Sequence, residues 1–310
     1  MAAGFSKGDG MQREELFFPS GGARCAAWVF RPQGPGPHPC IVMAHGFAAV
    51  REARLDAFAA RFAQAGIASV VFDYRGFGAS DGSPRQWLSV ARQLEDYDAA
   101  IRFARGLDGM DAQRIAVWGS SFSGGHVLTL GARRNDIAAI VAQVPAADLL
   151  AAILNVPVWT NLRLFVLGLV DAVGALFGAA PVHVGVVGLP GALAVMTSPD
   201  ADPGYRAMLP PHTNWRNEVC ARVFTTLAFY RPVRQAHRIA APLLVCVGEQ
   251  DAVTPPAPAL QAAARARNGQ ALTYPIGHFD IYAGSWFERA VADQIRFLQT
   301  VLRVHVHPAG

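Results

Sequence analysis

Four short apolar runs, Cys40–Ala44, Ile67–Tyr74, Arg114–Trp118 and Ile137–Val144, alternate with stretches of helical periodicity. A continuous apolar run of this length suits a strand buried on both faces, as in a parallel sheet covered by helices on each side. Between the runs, Leu55, Phe58, Ala59, Phe62 and Ala63 recur at helical spacing over 51–66, and Gly66 closes that helix. Val90, Leu94, Tyr97, Ile101 and Ala104 do the same over 89–107, and a third helix is predicted over 121–132. This alternation predicts an α/β fold with a doubly wound, mostly parallel sheet. A hairpin precedes it, with strands at 15–18 and 24–31 joined at Ser20-Gly21-Gly22.

The rhythm breaks over 145–235, which is apolar, aromatic and irregular, and is predicted to lack strand–helix alternation. It returns with a strand at 243–247, a helix at 258–267, a strand at 272–275 and a helix at 287–302. The expected organisation is therefore a first part of the α/β core over 1–144, a mainly helical lid inserted over 145–235, and the rest of the core over 236–310. No charged residue occurs from Ala172 to Pro199. Pro181 and Pro190 divide that run into pieces too short for a spanning helix, so a buried or substrate-facing lid is expected. Contact with a membrane surface through this apolar lid, or a homodimer face on it, stays open at this point.

With 52% apolar and 16% charged residues, the chain can bury a large core. Net charge is only +4 and no basic block occurs, which excludes the usual electrostatic footprint for nucleic acid. Cys25, Cys40, Cys220 and Cys246 form no C-x-x-C pair and have no zinc-like spacing. Packed, reduced thiols are expected. With a polar leader over 1–15 that lacks an apolar signal core, a cytoplasmic location is expected too.

The chemistry concentrates in Trp118-Gly119-Ser120-Ser121-Phe122-Ser123-Gly124-Gly125, which follows a predicted strand and opens a predicted helix. That is the context of a nucleophile elbow, where small residues two before and two after the nucleophile let strand and helix approach. Ser121 is the nucleophile in the register that places Gly119 and Ser123 at those positions; Ser123 is the centre of a rival register. A plain Ser/Gly loop holding an anion at a helix N-terminus is the non-catalytic reading. A serine needs a base, and the base an orienting acid. Asp251 follows the strand at 243–247, and His278 follows the strand at 272–275, in the order Ser, Asp, His. Glu249 and Asp148 are rival acids. The backbone N–H groups of Phe122 and Phe47 are the expected oxyanion donors, Gly46 letting the second loop come close.

These residues carry a resemblance to the α/β-hydrolase superfamily over nearly the whole chain. His45-Gly46-Phe47 resembles its H-G-x oxyanion loop, and Asp73-Tyr74-Arg75-Gly76-Phe77-Gly78-Ala79-Ser80 its D-x-R-G-x-G-x-S turn. Gly124-Gly125-His126 and Gly277-His278-Phe279-Asp280 are similar to the branch near dienelactone hydrolases, acetyl-xylan esterases and Xaa-Pro peptidase-like proteins; fungal polyketide transferases are similar as well. The resemblance implies an α/β-hydrolase fold and acyl transfer to water, with no cofactor and no metal. The expected activity is cleavage of carboxylic esters with an apolar acyl or alcohol group through an acyl-enzyme. A thioesterase or acyltransferase on a carrier-bound acyl chain, a peptidase, and a binding protein with an idle site are the alternatives. Asp73 and Arg75 are expected to pair below the site, and His45 and His126 to be structural. His305 and His307 are expected to be solvated and make too small a set for a metal.

Overall fold

The computed structural model describes residues 12–304; the leader before Gln12 and the His305/His307 pair lie outside the described residues. A hairpin of β1 (Gln12–Ser20) and β2 (Ala23–Arg31) leads into β3 (His38–Ala44), α1 (Leu55–Gln64), β4 (Ala68–Phe72), α2 (Val90–Arg105), β5 (Met110–Ser120), α3 (Phe122–Arg133) and β6 (Ala139–Gln143). An insertion then contains α4 (Leu149–Leu154), α5 (Val158–Leu176), β7 (His183–Val187), β8 (Ala194–Met196), α6 (Ala201–Ala207) and β9 (Val219–Cys220). The core resumes with β10 (Leu243–Gly248), α7 (Pro256–Arg265), β11 (Gly269–Tyr274) and α8 (Gly284–Leu302).

Eight strands form one sheet in the order β1-β2-β4-β3-β5-β6-β10-β11. It is parallel from β4 to β11, and β2 joins it antiparallel. From β3 the chain goes to β4 on one side, then returns to β5 on the other. The carboxyl ends of β3 and β5 therefore flank a topological switch point, where ligands bind in open α/β sheets. Strands β4, β6 and β10 are buried throughout, as are β3 from Pro39 and β5 from Ile115, because helices cover both faces of the sheet. Helices α1 and α8 pack against each other, while α2, α3 and α7 form a layer linked by the 3-10 turn Pro232–Arg238. Trp118 is the largest fully buried side chain, and its indole donates to Gln294 Oε1 at 2.9 Å.

Two expectations need correction. The insertion is not wholly without strands: β8, β7 and β9 form a small sheet, and the charge-free run ends α5 and supplies β7 and β8. Strands of three and two residues, such as β8 and β9, are too short for alternation to register in the sequence. Asp73 and Arg75 do not pair with each other. Asp73 accepts the backbone N–H groups of Arg51 (2.7 Å) and Ala79 (3.1 Å) and lies 3.3 Å from the Arg51 guanidinium. Arg75 donates to Asp96 at 2.6 Å and to Glu95 at 2.5 Å, both on α2. The helix supplies a carboxylate that meets the guanidinium and the Arg75 backbone N–H together, which Asp73 could not do while capping two other N–H groups.

Removing one member of a buried ion pair strands the other charge. Asp96→Ala is therefore expected to lower stability by about 3–5 kcal/mol, read from urea unfolding followed by far-UV circular dichroism.

Candidate active site

Ser121 sits between β5 and α3 with φ 56° and ψ −116°, a backbone state that a side-chain-bearing residue keeps only when its surroundings impose it. The surroundings do impose it. The Ser121 N–H donates to the Gln143 carbonyl of β6 at 2.9 Å, and the Ser121 carbonyl accepts from Ala146 N–H at 2.8 Å. A Cβ on Gly119 would stand 2.1 Å from the Ser123 carbonyl oxygen, so only glycine fits there. A Cβ on Gly124 would meet Pro145 Cα at 2.7 Å. The demand at Gly119 is the one that the sequence pattern predicts; the one at Gly124 comes from the approach of Pro145.

His278 Nε2 lies 3.0 Å from Ser121 Oγ, and its Nδ1 lies 2.7 Å from Asp251 Oδ2. The second Asp251 oxygen accepts the N–H groups of Val253 (2.8 Å) and Thr254 (2.7 Å). The Thr254 hydroxyl stands 2.8 Å from Asp251 Oδ2 and 3.0 Å from the Val144 carbonyl. Burial pushes the Asp251 carboxyl up, but the charge of His278 and hydrogen bonds from His278 and Thr254 outweigh it and hold the group below its ordinary value. Such an aspartate stays ionised and fixes Nδ1 as the protonated ring nitrogen, which leaves Nε2 free to accept a proton from Ser121.

The rivals are otherwise engaged. Ser123 is fully buried, 2.6 Å from the Tyr74 hydroxyl, and donates to the His45 carbonyl. Asp148 caps α4 and pairs with Arg231 at 2.8 Å. Glu249 is exposed. The loop after β3 lies against the elbow: a Cβ on Gly46 would be 3.0 Å from Ser121 Cβ, and the Phe47 and Phe122 rings meet edge to face at 5.4 Å. Phe122 is the first residue of α3, so its N–H has no acceptor within the helix. His45 is buried with Nδ1 3.0 Å from the Gly46 carbonyl, and His126 lies between the Tyr230 hydroxyl (2.7 Å) and Gln93 Oε1 (2.9 Å).

Ser121 opens into a cavity of about 580 Å³, lined by Leu149, Ile153, Val156, Leu164, Phe224 and Leu227 among others, with no charged side chain in its wall among the described residues. A small pocket of about 20 Å³ also touches Ser121 and His278, beside Tyr205, Met208 and Tyr282. Sequence reasoning missed Thr254, although Asp251-Ala252-Val253-Thr254 carries a signal: an aspartate followed by N–H groups two and three residues on is an Asx turn. It also missed Tyr230, whose contact with His126 is set only by the return of the insertion onto α3.

Burial lowers His45 to about 4 and His126 to about 3, so both are neutral when folded, whereas an unfolded histidine titrates near 6.5. Their stabilisation is present at neutral pH and is lost as pH falls below 6.5. Burial raises Asp73 to about 6 despite the Arg51 charge, and this acts in the opposite sense, favouring the fold as pH falls through that value. Two histidines against one carboxyl leave a net loss on the order of 2 kcal/mol between about pH 7 and pH 5.5. Urea midpoints at the two pH values are expected to differ accordingly, and His126→Gln to shrink the difference.

A family model described as Hydrolase_4, serine aminopeptidase, S33, matches residues 35–278. The quorum-quenching protein AidA of Acinetobacter baumannii is 44% identical over 290 residues, 94% of this chain and 95% of that protein. Thiohydrolase aneE of Aspergillus aculeatus is 36% identical over 115 residues, 37% of this chain and 36% of that one. The solved structure of the alpha/beta hydrolase GrgF from Penicillium sp. sh18 superposes with a TM-score of 0.80 at 23% identity, covering 94% of this chain and 99% of that chain.

Proposed function

The chain belongs to the serine aminopeptidase S33 family of α/β hydrolases, and from that premise we propose that it is a serine hydrolase of carboxylic esters with an apolar acyl or alcohol group. One observation carries the reading: Ser121, linked to His278 at 3.0 Å and through it to Asp251 at 2.7 Å, opens into a largely apolar cavity of about 580 Å³. A cavity of that size and lining suits an apolar small molecule.

His278 Nε2 takes the Ser121 proton as Oγ attacks the carbonyl carbon. The N–H groups of Phe122 and Phe47 receive the developing oxyanion. His278 then passes its proton to the departing alkoxide oxygen, and the acyl group remains on Ser121. Water repeats the sequence: His278 accepts its proton, the hydroxide adds to the acyl carbonyl, and Ser121 leaves with the proton returned by His278. Asp251 offsets the imidazolium charge in both halves.

Among the described residues the cavity wall holds no carboxylate to receive the free ammonium of a peptide N-terminus, which disfavours an aminopeptidase despite the family's description. The quorum-quenching relative makes a small signalling molecule with an ester or lactone bond a substrate class to test. A thioester substrate is the second reading, favoured by the stretch shared with a thiohydrolase.

Hydrolysis of p-nitrophenyl esters from acetyl to palmitoyl, with lactones and acyl thioesters alongside, tests the proposal. Ser121→Ala is expected to lose roughly 10⁴-fold or more in kcat/KM and to escape labelling by a fluorophosphonate. Ser123→Ala is expected to stay labelled, since the Ser123 hydroxyl is engaged by Tyr74 and the His45 carbonyl. An unreactive wild type would sink the reading. Leu227→Trp, which fills part of the cavity, is expected to move the best substrate toward shorter chains with little change in labelling.

A further inference from the structure

Helix α5 buries only Leu164, Gly168 and Asp171. These form one narrow line along the helix, and they hold it firmly. Asp171 accepts from the Arg222 guanidinium at 2.8 Å and from Val182 N–H at 2.9 Å, and a Cβ on Gly168 would stand 2.8 Å from the Ala221 carbonyl. Opposite that line lie Trp159, Leu162, Val166, Leu169, Val173 and Leu176, all exposed, Trp159 at 72% and Leu176 at 81%. At 100° per residue they and their neighbours cover an apolar sector of roughly 140°, the width with which a helix faces a protein core. A monomer in water rarely leaves such a face uncovered.

We propose that a second copy of this chain covers this face, with α5 of one copy packed on α5 of the other about a two-fold axis. The face is large enough for such a contact. Taking roughly 150–250 Å² for each aromatic side chain and about 150 Å² for each Leu or Val, near the low end of that range, the exposed fractions along α5 amount to on the order of 1,000 Å². Each partner in a standard stable interface contributes about 800 Å². The charge pattern of α5 favours protein over lipid. By length and composition α5 could cross a bilayer, but Asp171 ties it into the fold through Arg222. A helix lying on a lipid surface carries Lys and Arg along its polar side, whereas the side of α5 away from the apolar sector is packed on the protein. Arg163 is its one basic residue, and neither flank, 155–157 or 177–182, carries any charge. A rigid, prebuilt face also suits a self-complementary contact. Because Asn161 and Leu164 of the same helix, with Pro157 just before it, line the large cavity, association also fixes one wall of that cavity.

Sedimentation velocity on the full chain at micromolar concentration tests the proposal without reference to the reaction. The wild type is expected at about twice 33.1 kDa. The doubly substituted Val166→Glu/Val173→Glu chain is expected to sediment as a monomer with an unchanged circular dichroism spectrum, since both positions are exposed. Mixing it with Val166→Arg/Val173→Arg is expected to restore the dimer. A monomeric wild type, a Glu variant that remains dimeric, or a mixture that fails to associate would each overturn the proposal. A monomeric wild type that floats with phosphatidylcholine vesicles would assign the face to lipid instead.

Discussion

The backbone of Ser121 is the constraint around which the rest of the core is arranged. Its positive φ turns the chain from β5 into α3 within one residue, so the hydroxyl stands clear of the main chain at the sheet edge. That state is costly for a residue with a side chain and persists only where neighbours over-determine it. Gly119, Gly124 and Gly46 are there because backbone or Ser121 itself occupies the space a Cβ would need. Hydrogen bonds to Gln143 and from Ala146 then bind the turn to β6 and to the start of the insertion. Strand order places the His45–Phe47 loop beside it, because β3 and β5 are neighbours on either side of the switch point.

The elbow is linked to the insertion by a second, buried polar layer. His126, one turn beyond Ser121, meets the Tyr230 hydroxyl, and Thr129 meets the same hydroxyl at 3.0 Å. The adjacent Arg231 pairs with Asp148, which caps α4. Both ends of the insertion are thus held near α3 by groups in hydrogen-bond contact, which buried polar atoms require. Neutral His126 is suited to this place, since an imidazolium there would be desolvated beside His45 and Arg133.

Much of the core was legible in the sequence because its strands are continuous apolar runs and its helices are amphipathic. The predicted boundaries of β3, β6 and β10 fall within a few residues of those observed. Helix α1 starts later than its periodicity suggests because residues 51–54 form turns in which Arg54 takes a left-handed conformation. Ser121, Asp251 and His278 were legible as strand-end residues in a recognisable order, and the structure brings them together. Thr254 was readable only as a turn former, while Tyr230 and the Asp96 partner of Arg75 were not readable, since nothing local marks a contact that spans 104 or 21 residues.

The sequence by itself determined the sheet-and-helix alternation, the elbow and the membership of its family, because these depend on periodicity and on residue size at short spacing. Tertiary structure alone decided which carboxylate meets which guanidinium, which of two serines faces the imidazole, and how the insertion divides its apolar residues. Leu164 is buried while Leu162 and Val166 are exposed, though all three read alike in the sequence. Hydrophobicity sets how much surface a chain must cover; only the packing of distant elements sets which residues are covered.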